Sequence, residues 1–371
     1  MKYYNIMTSR RASLCDKMKP VTCESCKADG YETGVCPKCL ENQAYNTEWL
    51  ETHTFIWDTA LECYHSCNHD EIKSLPLRLP NEKPNLYYGF EVEVGFDEEM
   101  MTEYYDDYED EERMEASDRL QEILARAAEI LDGMAVFEED SSLQEYNGVE
   151  FIFRPMSYAY ATHPDTVRKL KKFFDYLEQN GAYVNQPTGC GMHVHLSKKF
   201  FEHGKMTNSA QAYEDFEWLF QFFQPEMEKL GRRKYTSYCE SKTDKIKRDM
   251  RRMTSDYGSL SDITFTVNKG GGRLASNDHS SAINSDRHTI EVRTFKSTIN
   301  AETMLATLEI VRNVAHAVRG GDIEKTLDDI LHTKDNIYLD KYIQKRRMEC
   351  KRDGEELDLS RVNTNKIRVT A

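Results

Sequence analysis

The stretch Tyr87-Tyr-Gly-Phe-Glu-Val-Glu-Val-Gly-Phe96 alternates apolar residues with polar or small ones. This alternation predicts a strand that is buried on one face, because successive side chains of a strand point to opposite sides of the sheet. The second face carries Glu91 and Glu93 between two glycines. Two carboxylates on one strand face repel each other unless a cation or a ligand offsets their charge. Taken alone, the stretch favours metal binding only modestly over an ordinary solvated face.

Three further segments have the same design, with one apolar face and one face that carries candidate ligands. They are residues 148–154 with Glu150, residues 191–196 with His193 and His195, and residues 288–295 with Glu291 and Arg293. If the four strands share a sheet whose apolar face packs on helices, the other face is a concave surface of carboxylates and imidazoles. Such a surface suits Mg2+ or Mn2+. Paired magnesium ions beside an arginine are what phosphoryl transfer from ATP requires.

The segments between these strands show the period of amphipathic helices. Helices are predicted over about 110–131 and 165–180, over 210–230 with a kink at Pro225, and from Asn300 to about residue 320. The run Glu138-Glu-Asp-Ser-Ser-Leu143 is predicted to form a turn. The pattern predicts an α+β class, with a catalytic core over residues 87–345. Residues 71–86, which contain three prolines, are interpreted as a linker, and residues 346–371 as a charged, weakly ordered tail.

Residues 1–70 contain seven of the ten cysteines and are predicted to form a separate module. Cys23-x-x-Cys26 and Cys36-x-x-Cys39 present four thiolates in two pairs, an arrangement typical of a structural zinc ribbon. Four reduced, unrelated cysteines are the alternative. A second cluster matches no zinc pattern that we can defend, and ordinary side chains are favoured over a second zinc there; its members are His53, Cys63, His65, Cys67 and His69.

The composition limits the classes of function. Hydrophobic residues make up 39% of the 371 residues, as in a folded protein, and the formal charge of −15 argues against extensive wrapping of nucleic acid. The polar, basic start of the chain has no apolar run behind it, so no signal peptide is predicted. No segment has the apolar length of a membrane span. These features predict a cytoplasmic protein whose cysteines bind metal or stay reduced.

Four motifs in order resemble the amidoligase family, which is related to glutamate–cysteine ligase and glutamine synthetase. The motifs are Gly89-Phe-Glu-Val-Glu93, the segment from Asp140-Ser-Ser-Leu143 to Gly148-Val-Glu-Phe151, Gly189-Cys-Gly-Met-His-Val-His195, and Thr289-Ile-Glu-Val-Arg293. The resemblance covers roughly residues 87–320 and leaves out the cysteine-rich module. It implies a glutamine-synthetase-like core, in which a curved antiparallel sheet backed by helices holds ATP and metals on its concave side.

The resemblance also implies roles for single residues. Glu91, His193 and Glu291 would hold the Mg2+ or Mn2+ that bridges the ATP phosphates. Glu93 and Glu150 would hold a metal near the substrate carboxylate, and a third acidic ligand for that metal is not evident. Arg293 would bind phosphate or the developing acyl phosphate. Arg293, Glu291 and Glu93 are the expected catalytic residues.

Three further arginines are weaker candidates for binding ATP or substrate. Arg232 or Arg233 would bind a substrate carboxylate, and a solvated basic turn is an equally good interpretation. Arg273 stands where relatives have an arginine before the last strand, although the residues that follow it depart from their pattern. His195 either orients a neighbour or binds substrate, with a purely structural role as the alternative.

The function predicted from the resemblance is ATP-dependent amide-bond formation between a carboxylate and an amine. The amine would be an amino acid, a peptide, a polyamine or a protein side chain, and the sequence does not indicate which. An ATP-dependent phosphotransferase that acts on a guanidino or amino group is one alternative. A zinc-ribbon protein that contacts protein or nucleic acid, with a non-catalytic ligase-like core, is the other.

Overall fold

The computed structural model describes residues 6–7, 53–58, 63–68, 76–96, 119–120, 122–124, 126–139, 143, 148–184, 190–203, 209–235, 239, 281–285 and 289–362. The backbone divides into two compact units. The first unit consists of Met1–Cys190 with Ser297–Ala301, and the second of Gly191–Lys296 with Glu302–Ala371. The zinc-ribbon cysteines Cys23, Cys26, Cys36 and Cys39, together with Arg273, lie outside the described residues.

The first unit contains seven strands and three helices among its described residues. The strands are β1 (Ile6–Met7), β2 (His53–Asp58), β3 (Cys63–Asn68), β4 (Tyr88–Phe96), β5 (Ala135–Glu139), β6 (Val149–Met156) and β7 (Ala182–Tyr183). The helices are α1 over 119–131, where residues 121 and 125 are not described, α2 (Tyr158–Ala161) and α3 (Pro164–Gln179).

The main sheet of the first unit is antiparallel, with strand order β5-β6-β4 and with β7 paired to the end of β4. Its apolar face packs on α3, because the ring of Phe173 lies 4.9 Å from that of Phe151 and 6.1 Å from that of Phe153. Both contacts are edge-to-face, the arrangement that aromatic quadrupoles favour. The opposite face of β4 and β6 therefore carries the acidic residues predicted from the alternation.

A smaller sheet joins β1, β2 and β3, with β1 parallel to β2 and β2 antiparallel to β3. It carries His53, Cys63, His65 and Cys67 on paired strands. The structure describes only the backbone at these positions, and His69 lies outside the described residues. The prediction that this cluster consists of ordinary side chains stays a prediction.

The described part of the proposed linker, residues 76–86, belongs to the first unit and packs against the end of β6. Leu77 pairs with Met156, and its backbone N–H donates to the carbonyl of Pro155 at 2.6 Å. The hydroxyl of Ser157 donates to Glu82 at 2.6 Å. Leu77 and Leu86 are buried. Prolines are compatible with this extended packing because a segment at the edge of a sheet needs few backbone donors.

The second unit contains three strands, one 3-10 helix and five α-helices among its described residues. They are β8 (Gly191–Ser197), the 3-10 helix (Lys198–His203), α4 (Ser209–Phe222), α5 (Gln224–Gly231), β9 (Ile283–Ser285), β10 (Thr289–Lys296), α6 (Ala301–Gly320), α7 (Leu327–Leu331) and α8 (Leu339–Arg352). The first residue of α6 belongs to the other unit. Strand β10 lies between β8 and β9 and is antiparallel to both.

The expected α+β class with antiparallel strands and helices is confirmed. The predicted helix with a kink at Pro225 is two helices, α4 and α5, because the chain breaks at Phe223 and the proline occupies the first turn of α5. Of the ten strands among the described residues, six were not predicted from the sequence: β1, β2, β3, β5, β7 and β9. Among the described helices, none has both the length and the apolar character that a membrane span requires.

The described part of the charged tail, residues 346–362, differs from the expectation of weak order. Helix α8 continues to Arg352, and Leu357 and Leu359 are buried. The guanidinium of Arg361 lies over the ring of Phe222 and 3.2 Å from Glu226. Apolar residues that reach the core alternate with the charged residues of this segment. The overall composition of the segment therefore does not reveal that it packs on the core.

A buried carboxylate on α6 holds the start of α8. Glu309 has no exposed surface, and it accepts the backbone N–H groups of Ile337, Tyr338 and Leu339 at 2.9, 3.0 and 2.7 Å. The first N–H groups of a helix have no partner within the helix, and a negative charge there also interacts favourably with the helix dipole. Glu309 therefore acts as the cap that the side chain of Tyr338 does not provide.

We expect Glu309→Ala to lower the free energy of unfolding by about 3 kcal/mol, because three backbone N–H groups lose a charged acceptor that is itself fully buried. Glu302→Ala is the matched control on the same helix. Its carboxylate is partly exposed and pairs with Lys341, so its loss should cost less than about 1 kcal/mol. Urea unfolding followed by circular dichroism measures both changes. Equal losses for the two variants would contradict the capping role.

Candidate functional site

Three carboxylates lie side by side across the main sheet of the first unit. Glu93 of β4 is directly opposite Glu150 of β6, and Glu150 is directly opposite Glu138 of β5. Directly opposite residues of an antiparallel pair share a face, with their Cβ atoms about 5 Å apart. Carboxylate oxygens of Glu93 and Glu150 lie within 4.8 Å of each other. We call Glu93, Glu150 and Glu138 the carboxylate row.

Glu93 is the member of the carboxylate row whose backbone is held by a second segment of the chain. Glu93 is 6% exposed, and the hydroxyl of Ser297 donates to its carbonyl at 2.6 Å. Glu91, two residues earlier, shares its face and lies opposite Ile152. The structure therefore places three of the predicted metal ligands, Glu91, Glu93 and Glu150, on one face of one sheet.

Glu138 is the functional candidate that the sequence interpretation missed. The run that starts at Glu138 is predicted as a turn, but Glu138 belongs to a five-residue strand. The usable signal was the apolar stretch Ala135-Val136-Phe137 that precedes it. Three residues are too few to distinguish a buried strand from the end of the preceding helix. Glu138 is a third acidic residue on this face of the sheet, directly opposite Glu150 in the ladder.

A network around Glu291 is the corresponding feature of the second unit. Oε1 of Glu291 lies 2.7 Å from Nη1 of Arg293 and 3.2 Å from Nδ1 of His193. Its other oxygen, Oε2, accepts from the side-chain amide of Asn284 at 3.1 Å. Glu291 is 8% exposed and His193 is 2% exposed. We call His193, Glu291, Arg293 and Asn284 the Glu291 network.

The geometry of the Glu291 network has a consequence for His193. A carboxylate beside Nδ1 orients an imidazole ring, as in metal-binding carboxylate–histidine pairs in which the other nitrogen, Nε2, is the metal ligand. A Cβ at Gly191 would lie 2.9 Å from this Nε2, so only glycine leaves the space next to the ring open. His195 lies opposite Glu291 in the ladder, on the same face as His193.

The neighbouring arginines Arg232 and Arg233 point to different surroundings. Arg232 ends α5 in the left-handed conformation, with φ of 57°, and hydrogen-bonds to the phenol of Tyr342 on α8. Nη1 of Arg233 donates to the backbone carbonyls of Arg293 and Phe295, at 3.0 and 3.4 Å. Of the two, Arg233 is the one that lies next to the Glu291 network.

The pKa of the buried Cys239 thiol depends on the charged groups around it. Burial raises the pKa of Cys239 to about 11, while the guanidinium groups of Arg233 and Arg293 act in the opposite direction. Burial also raises the pKa of the nearby Tyr235 phenol well above its ordinary value, and Cys239 and Glu228 add to the rise. Both groups are therefore neutral at physiological pH. The charge of this region belongs to Arg233, Arg293, Glu228 and Glu291.

Each unit thus has a distinct chemical capacity. The carboxylate row offers oxygen ligands alone, the type that hard cations such as Mg2+ prefer. The Glu291 network combines a carboxylate, an imidazole and a guanidinium, which together can bind a cation and stabilise an oxyanion. Among the described residues, the six strand residues lie on the polar faces that the alternation predicts: Glu91, Glu93, Glu150, His193, Glu291 and Arg293. Arg233 follows α5 and lies next to the Glu291 network.

A protein-family model matches more than half of the chain. The family is described as "Putative amidoligase enzyme", and the match covers residues 85–315. The matched region contains β4, β6, β8 and β10 with all the predicted catalytic residues. No curated protein matches the chain.

We expect Asn284→Ala to lower the free energy of unfolding by about 1.5–3 kcal/mol, because the buried Glu291 carboxylate loses a hydrogen-bond donor. Asn284→Asp keeps the shape but faces Glu291 with a second carboxylate, so it should be more destabilising than Ala at pH 7. Thermal unfolding of the two variants provides the measurement. The reverse order, with Asp milder than Ala, would contradict the contact.

Proposed function

Because the chain belongs to the amidoligase family, whose members are ligase-type enzymes, we propose that it is an ATP- and Mg2+-dependent carboxylate–amine ligase. The substrate carboxylate attacks the γ-phosphate of ATP and forms an acyl phosphate with release of ADP. An amine then attacks the acyl carbon, the amide bond forms, and inorganic phosphate leaves with the proton balance completed by solvent. The observation that carries the proposal is the convergence of His193 and Arg293 on Glu291 in a chain of this family.

The residues fit the metals that this chemistry needs. Carboxylate oxygens and one imidazole nitrogen are suitable ligands for Mg2+ or Mn2+, and thiolates do not occur among the described candidates. Following the resemblance, we assign Glu91, His193 and Glu291 as residues that would hold a metal that neutralises the charge of the ATP phosphates. We assign the carboxylate row, Glu93, Glu150 and Glu138, to a metal next to the substrate carboxylate. When bound, the metals would neutralise phosphate charge and orient the reacting oxygens.

Arg293 has the role of stabilising the charge that develops on the transferred phosphoryl group. Its guanidinium is permanently charged and can offer two parallel donors to tetrahedral oxygens. The contact with Glu291 holds the guanidinium in place before substrate arrives, so little reorganisation is needed during the reaction. Glu291 thus serves as a ligand and as the orienting partner of Arg293.

The remaining assignments follow from the sequence. We assign a structural zinc to Cys23, Cys26, Cys36 and Cys39, which would stabilise the N-terminal module and offer a surface for protein or nucleic acid. Arg273 and Arg232 stay candidates for contacts with ATP or substrate, with Arg273 outside the described residues and Arg232 engaged with Tyr342. The predicted compartment is the cytoplasm. Amino acids, peptides, polyamines and protein side chains are the amine classes to test.

The first test incubates the protein with ATP, Mg2+ and pooled amino acids or polyamines, and follows ADP release. We expect release that depends on both the acceptor pool and Mg2+, and that stops when EDTA removes the metal. Glu291→Gln keeps the shape and removes the charge, so the rate should fall by about 100-fold or more. Glu302→Gln, on the partly exposed side chain of α6, is the matched control and should keep the wild-type rate.

Mass spectrometry of the products decides between the proposed reaction and the phosphotransferase alternative. A ligase product has the mass of its two substrates minus one water, whereas a phosphotransferase product gains one phosphate. Absence of ADP release with every acceptor, from protein with an intact circular dichroism spectrum, would count against both. Full biological activity of Glu291→Gln would instead support a non-catalytic core.

A second test concerns Glu138. If the carboxylate row holds Mg2+, Glu138→Gln should raise the Mg2+ concentration needed for half-maximal ADP release by about tenfold. Glu129→Gln removes an exposed carboxylate from α1 in the same unit and should leave that concentration unchanged. A Mg2+ titration of the three proteins provides the comparison. Identical curves would exclude Glu138 as a ligand.

A further inference from the structure

Strand β10 contains a bulge at the residues that carry the proposed chemistry. Val292 lies opposite Val194 of β8, whereas Phe295 lies opposite Met192. Two residues of β10, Arg293 and Thr294, therefore occupy the space opposite one residue of β8. A bulge bends the strand, redirects a side chain and interrupts the ladder of backbone hydrogen bonds. The direction of the Arg293 side chain depends on this irregular backbone.

Arg233 binds the backbone on both sides of the bulge. Its Nη1 atom donates to the carbonyl of Arg293 at 3.0 Å and to the carbonyl of Phe295 at 3.4 Å. The two carbonyls flank Thr294, which is fully buried. A charged donor makes stronger hydrogen bonds than a neutral one, and the interaction spans the irregular segment of the strand. One guanidinium thus joins the carbonyl of a bulge residue, Arg293, to the carbonyl of Phe295, where the regular pairing resumes.

Two glycines provide the space for this interaction. A Cβ at Gly191 of β8 would lie 2.3 Å from Nη1 of Arg233, so only glycine accommodates the guanidinium in its present position. A Cβ at Gly231 of α5 would lie 2.2 Å from the carbonyl oxygen of Thr294. The end of α5 therefore packs directly against the bulge, and Arg233 follows two residues later.

Helix α8 holds the end of α5 in place. The phenol of Tyr342 donates to the carbonyl of Leu230 at 2.5 Å, and Nε of Arg346 donates to the carbonyl of Lys229 at 2.9 Å. The last carbonyls of a helix have no partner within the helix, so these donors satisfy them. Burial raises the pKa of Tyr342, which keeps the phenol protonated as a donor.

From these contacts we infer that Arg233 is a positioning residue, which holds the β10 bulge and thereby directs Arg293 towards Glu291. This role differs from the binding of a substrate carboxylate that the sequence suggested for Arg233. The consequence for catalysis rests on the proposed ligase function. The support of the bulge does not, because it is a property of the protein without substrate.

Hydrogen–deuterium exchange of the substrate-free, full-length protein tests the inference. The amide of Arg293 donates to the carbonyl of Ala282, next to β9, so its exchange reports whether β10 keeps its pairing. We expect Arg233→Met to raise deuterium uptake several-fold in peptides that cover residues 289–296. Lys234→Met, at the exposed neighbouring residue, is the matched control and should leave the uptake unchanged. Unchanged uptake in Arg233→Met would overturn the inference.

Gly191→Ala provides a second, milder variant if Arg233→Met does not fold. Its added methyl group would displace the guanidinium without removing it, so uptake over residues 289–296 should also rise. In the double variant the two effects should be less than additive, because both act through the same contact. Fully additive effects would overturn the inference.

Steady-state kinetics separate positioning from substrate binding once an acceptor has been found. A misplaced Arg293 should lower kcat of Arg233→Met by about 100-fold with little change in KM for the carboxylate. Arg233→Lys, which keeps the charge and one donor group, should recover part of kcat. A raised KM with unchanged kcat and unchanged exchange would assign Arg233 to the substrate. If no variant, including wild type, forms product but exchange rises as expected, the proposed function fails and the positioning role stands.

Discussion

The second unit depends on a single carboxylate, that of Glu291. One of its oxygens faces an imidazole and a guanidinium, and the other accepts from the amide of Asn284. A carboxylate with so little exposure would be costly to bury alone, and the three partners offset that cost while they lose their own freedom. The result is a group of charged side chains whose orientations are set before any substrate binds. Electrostatic stabilisation by preorganised groups is usually the largest single contribution to enzyme catalysis.

The sequence predicted the four strands that carry the proposed site, because the alternation of apolar and polar residues is repeated along each of them. Alternation assigned β4, β6, β8 and β10 and placed Glu91, Glu93, Glu150, His193, Glu291 and Arg293 on the polar side of each. The short strands β5 and β9 were missed, since three to five residues contain too few repeats. Glu138 was therefore missed as well, and Asn284 was given no role. Their importance comes from the register with a neighbouring strand, which a single sequence does not encode locally.

The arginines show a second limit of the sequence. Arg232 and Arg233 are adjacent and chemically identical, so composition and spacing give them the same role. The left-handed residue at the end of α5 separates them, because it sends one side chain to Tyr342 and the next to the bulge of β10. The bulge itself has no marker in Thr-Ile-Glu-Val-Arg, which has the pattern of a regular strand. The distinction between binding and positioning therefore required the three-dimensional contacts.

Helix α8 places a boundary of the functional domain beyond the region that the family shares. The family match ends at residue 315, whereas the carbonyls at the end of α5 are satisfied from Tyr342 and Arg346. A fragment trimmed to the shared region would keep every proposed Mg2+ ligand and the arginine that contacts Glu291. It would lose the helix that secures Arg233. If Arg233 positions β10 as proposed, a functional fragment of this chain has to include α8, although α8 lies outside the region that the family model matches.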